Sequence, residues 1–78
     1  MKVNLPLSIY SISALGKARV AYKEYATIDI EKQNKNAYLT IAVNHEYTDA
    51  EKYEIEGSFL NYALQLTAVE FLELEVVQ

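Results

Sequence analysis

Apolar and polar residues alternate at the start of the chain. Val3, Leu5, Leu7 and Ile9 interleave with Asn4, Pro6, Ser8 and Tyr10. A period of two marks a half-buried strand. Pro6 has no N–H to give to a ladder, so this strand is expected at a sheet edge or beside a bulge. The period then lengthens: Ile12, Leu15, Ala18, Tyr22 and Tyr25 recur at helical spacing, with Lys17, Arg19, Lys23 and Glu24 mostly elsewhere on the wheel. Ser11 or Ser13 supplies the hydroxyl that caps such a helix. Gly16 costs this helix propensity unless something packs closely on it.

Alternation returns from Ala26 to Lys32, with Ile28 and Ile30 on one side and Thr27, Asp29 and Glu31 on the other. Gln33-Asn34-Lys35-Asn36 is a turn, because asparagine tolerates left-handed backbone. Ala37, Leu39, Ile41 and Val43 form the inward set of the next strand, opposite Tyr38, Thr40 and Ala42, and the two runs read as a hairpin. After a connector, Asn44 to Thr48, the run Thr48-Asp49-Ala50-Glu51 fits a capping box. The helix it opens carries Ile55, Phe59, Tyr62, Leu66 and Val69 as its apolar stripe. Phe71 to Val77 alternates like a strand, yet Leu72 and Val76 also continue the helical stripe, and no Gly, Pro or Asn intervenes. Helix is the preferred reading there.

The element order β-α-β-β-α defines an α+β domain spanning residues 1–78. A crossover helix followed by a hairpin puts the third strand between the first two. The prediction is a three-stranded antiparallel sheet in order 1-3-2 with two helices on one face. A fourth strand from residues 71–78, beside the first, would make the layout ferredoxin-like.

Composition narrows the functional classes. With 78 residues and no cysteine, the chain is one domain that lacks disulfides and thiolate metal ligands. A hydrophobic content of 51% is high for so short a chain and leans toward a shared surface. The net charge of −4, with seven scattered Lys and Arg, offers no basic stripe for nucleic acid. No apolar run is long enough to span a membrane. The apolar start is broken by Asn and Pro, unlike a signal peptide, and a cytoplasmic location is expected.

No chemistry-bearing motif emerges. His45 is the only histidine and sits in the polar connector beside Glu46. With Gly16 and Gly57 alone, a phosphate-cradling loop is excluded, as is the obligatory glycine turn of a calcium loop. The acids Asp49 and Glu51 suit the positive end of a helix dipole instead. Neither catalytic residue, metal nor cofactor is expected. Among seven tyrosines, Tyr22, Tyr25 and Tyr62 fall on core-side stripes, whereas Tyr38 and Tyr47 are the candidates for exposure.

The segment Gly57 to Val69 holds no charged residue through more than three helical turns. One helix face against a sheet needs a single apolar stripe, but Leu60, Leu64 and Phe71 add a second. The expected partner-binding set is therefore Phe59, Leu60, Ala63, Leu64 and Phe71, with Tyr38 on the sheet. A protein or peptide partner, or a second copy in a homodimer, would cover it, and the free edge of the first strand, blunted in part by Pro6, is the alternative place for such a partner.

Ser13-Ala14-Leu15, Lys17-Ala18 and Ala21-Tyr22, a hairpin, then Phe59-Leu60-Asn61-Tyr62-Ala63-Leu64 in a final helix together resemble the HxsD-like proteins. These are small proteins named from the His-Xaa-Ser peptide-modification system. The likeness covers most of the chain in element order, though its sequence core is only the Ala-Tyr pair and the Phe-Leu-Asn segment. It implies a non-enzymatic accessory protein of radical S-adenosylmethionine peptide maturases, binding enzyme or precursor peptide. The basic residue associated with the end of that segment is missing, since Gln65 and Thr67 stand there, and no catalytic residue carries over.

Overall fold

The computed structural model describes residues 1–76, with side-chain surroundings to Glu73. Strand β1 (Lys2–Pro6), helix α1 (Ile12–Ala21), strands β2 (Ala26–Gln33) and β3 (Asn36–Val43) and helix α2 (Asp49–Val76) follow in that order. The strands form one antiparallel sheet in the order β1-β3-β2. The pairing carries the alternation across the sheet. Val3, Leu39 and Ile30 stand in one row on the inner face, while Asn4, Tyr38 and Glu31 stand in the neighbouring row on the outer face. A slip of one residue would turn the apolar rows to water, so the pattern itself holds the register.

β1 stops earlier than its alternation suggests. Past Pro6 the chain turns, and the Pro6 carbonyl accepts from both Ile9 and Tyr10 N–H at 3.1 Å. Ile9 consequently lies exposed instead of continuing the strand. The hairpin closes through Asn34 and Lys35, with Asn34 at φ 55° in the left-handed region.

Ser11 is the N-cap of α1, its hydroxyl accepting from Ala14 N–H at 2.9 Å. Of the predicted α1 stripe, Leu15 and Ala18 are fully buried, joined by Ala14, whereas Ile12 and Tyr25 are exposed. The helix ends at Ala21, so Tyr25 falls beyond its wheel. The capping box of α2 forms both its bonds: Thr48 N–H donates to Glu51 Oε1 at 2.8 Å, and Glu51 N–H to Thr48 Oγ1 at 3.2 Å.

α2 has 28 residues, ~42 Å of helix against ~27 Å for the eight-residue strands β2 and β3. Phe71 to Val76 belongs to it, so the fourth strand and the ferredoxin-like closure considered for residues 71–78 are not formed over these positions. Nothing breaks the helix after Val69, and no strand edge is needed to satisfy its backbone. Val77 and Gln78 lie outside the described residues.

Both helices cover the inner sheet face. Leu5, Leu15, Ala18, Ala26, Ile28, Ala37, Leu39, Ile41, Phe59 and Ala63 share one core cluster. α2 lies chiefly along α1 and less on β3. Its buried line runs through Phe59, Ala63 and Thr67, rotated from the predicted stripe, since Tyr62 and Val69 reach the surface. Small side chains explain the rotation: Ala14 and Ala18 on α1 and Ala63 on α2 leave room for two helices to approach.

Candidate partner-binding surface

The structure divides the predicted partner-binding set. Phe59 and Ala63 are completely buried, so both serve the core and neither is free to meet a partner. Phe59 is the largest fully buried side chain, in edge contact with Tyr22 at 5.6 Å between ring centroids. Leu60 is half-buried and packs on the core cluster. Leu64 is 40% exposed and Phe71 56%, which makes these two the free members of the second stripe. Tyr38 is exposed on the outer sheet face, a full layer away from α2.

Val69 and Leu72 join the exposed apolar residues of α2, and the sequence reading omitted both from the partner set. Periodicity assigns Val69 to the core stripe, and Leu72 enters the sequence pattern only as a continuation of the helix. A helical wheel centred on Ala63 and Thr67, the small residues, would have found Val69.

The tyrosines gather at the other end of the helix pair. Tyr22 contacts Tyr25, Phe59 and Tyr62 at centroid distances of 6.0, 5.6 and 5.9 Å, and Tyr25 reaches Tyr47 at 6.4 Å. An open pocket of about 340 Å³ lies beside them, lined by Tyr22, Tyr25, Glu54, Ile55 and Ser58. Its polar groups are already engaged in part, because the Tyr22 hydroxyl and Ser58 Oγ share a hydrogen bond. Tyr47 has its phenol pushed above its ordinary value by desolvation and by Glu46, so it is protonated at neutral pH.

The carboxylates with displaced pKa values have structural partners. Thr48 N–H, with its hydroxyl, holds the Glu51 carboxyl below the usual range. The Ser11 hydroxyl does the same for Glu70, helped by Ser13 and Lys17 and opposed by desolvation. Lys17 Nζ stands 3.5 Å from Glu70 Oε1, an ion pair without hydrogen-bond geometry. His45 is exposed in the connector. Among the described residues, no group of three His, Cys, Asp or Glu side chains converges as a metal site. Nor is any helix among them long and apolar enough to cross a membrane.

Compared with family models, curated proteins and solved structures, the chain matches none. The fold and surface thus define a small α+β protein whose most distinctive feature is an apolar flank on its longest helix.

Proposed function

We infer that this chain is a non-enzymatic binding protein of the cytoplasm that holds a protein or peptide partner on the outward flank of α2. One observation carries the reading. The charge-free span from Gly57 to Val69 leaves Leu64 in water, and the exposed Phe71, seven residues on, falls on the same flank of the helix. Desolvating such a surface costs no buried charge, and apolar patches of this kind mark contact sites. The finer reading, an accessory to a radical S-adenosylmethionine peptide maturase, rests on the HxsD-like resemblance of Ala21-Tyr22 and Phe59-Leu60-Asn61. Co-expression with a maturase and precursor peptide encoded beside the gene tests it. The complex is expected to survive purification with the natural chain and to be lost with Leu64→Glu and Phe71→Glu. A gene neighbourhood without maturase or precursor would remove the finer reading and leave the coarser one.

A second reading is self-association. Leu60, Leu64 and Phe71 follow at spacings of four and seven, the spacing of a coiled-coil seam, and a flank without charge does not repel its own copy. Light scattering over micromolar concentrations separates the two readings, since a homodimer would double the mass of the purified protein.

A further inference from the structure

The two edges of the sheet are not equivalent. Ile41 N–H donates to the Met1 carbonyl at 2.8 Å, so odd-numbered residues of β3 turn their backbone groups toward β1 and even-numbered ones toward β2. Their β2 partners Thr27, Asp29 and Glu31 complete that ladder. Ile28, Ile30 and Lys32 therefore point amide and carbonyl away from the sheet, and among the described residues no other backbone group meets them. By the same alternation Lys2, Asn4 and Pro6 face outward on β1. That edge has five residues and lacks an N–H at Pro6. The β2 edge has eight and no proline.

A groove runs beside the start of the β2 edge. Arg19 and Val20 of α1 and the following Lys23 form one wall and Ala26, Thr27 and Ile28 the other, enclosing about 320 Å³ of open space. Val20 is strongly exposed there. The charges are sorted around it. Arg19 and Lys23 stand on the helix side, and Lys32 shares that side because it pairs with inward-facing Ala37. Among the described residues none of these three cations has an ion-pair partner. Asp29 and Glu31 stand on the opposite, outer side.

We propose that the β2 edge and the groove under α1 bind an extended peptide as a fourth strand, with carboxylates at alternate positions facing Arg19, Lys23 and Lys32. Backbone pairing with Ile28, Ile30 and Lys32 supplies the anchoring, and the cations select the guest. The outer acids reject a uniformly acidic strand, so the selected pattern is acid on the helix side and neutral or basic on the other. This site lies apart from the α2 flank and does not depend on it.

A fluorophore-labelled peptide of alternating glutamate and threonine is the probe, read by anisotropy and by amide NMR of the full chain. Binding is expected to shift the Ile28, Ile30 and Lys32 amides and slow their hydrogen exchange. Arg19→Glu with Lys23→Glu, both at exposed positions, should weaken it about tenfold and transfer preference to the lysine-threonine peptide. Leu64→Glu should leave it unchanged, which separates this site from the proposed α2 surface. A peptide N-methylated at alternate residues should not bind. Equal binding of that peptide, shifts confined to α2, or edge amides already protected by pairing with a second copy would each overturn the proposal.

Discussion

Ser11 and Glu70, 59 residues apart, meet side chain to side chain: the Ser11 hydroxyl donates to Glu70 Oε2 at 2.6 Å while accepting from Ala14 N–H at 2.9 Å. Ser11 N–H also donates to Thr67 Oγ1 at 3.1 Å, and that hydroxyl in turn donates to the Ala63 carbonyl at 2.9 Å. The cap of α1 is thereby also the joint that fixes α2. Ser11→Ala removes the cap and leaves Glu70 without its closest partner. A loss of about 1–2 kcal/mol is expected in urea unfolding, against less for Ser13→Ala.

The carboxylates of this joint and of the α2 capping box set a pH dependence. Glu70 and Glu51 both have folded pKa values below their ordinary 4.5. Each binds its proton less readily folded than unfolded, so the stabilisation is complete above the unfolded value. It is lost as pH falls through the lower folded value. Urea midpoints taken from neutral pH down through the carboxylate range should decline, and Glu51→Gln with Glu70→Gln should flatten that decline.

Neither helix glycine is required by its surroundings. A Cβ built at Gly16 or Gly57 meets nothing within 4 Å, and neither residue has positive φ. Gly16→Ala and Gly57→Ala should each raise stability by about 0.5–1 kcal/mol, visible as a higher thermal midpoint. A fall at Gly57 would reveal that a partner or second copy needs the bare backbone there.

Phe59 and Leu64 sit five residues apart on one helix and should behave oppositely. Phe59→Ala empties a fully buried site and is expected to cost about 3–5 kcal/mol. Leu64→Ala, at a partly exposed site, should cost far less. Circular dichroism with chemical unfolding reads both.

The sheet was legible because alternation, Pro6 and the Asn34 turn act locally and point to one arrangement. The capping box was legible for the same reason. The facing of α2 was not. Periodicity weights bulky residues and drew the stripe through Tyr62 and Val69, whereas helix-to-helix approach favours Ala63 and Thr67, whose worth depends on Ala14 and Ala18 far away in the chain. The candidate surface inherited that error, so Phe59 and Ala63 were offered to a partner when the core already held them. The β2 edge follows from the predicted 1-3-2 order, but the cations beside it do not, because Arg19 and Lys23 come to that edge only through the packing of α1.

That strand order also governs how the chain is assembled. The β2–β3 hairpin is local, but the side chains that close the inner face over it, Phe59 and Ala63, come from the last element. A nascent chain that has released only its strands and α1 carries an incompletely roofed apolar sheet with one unprotected edge. Truncation before residue 59 should therefore yield aggregate instead of a smaller domain, and synthesis of α2 is the step that completes the roof over the inner face.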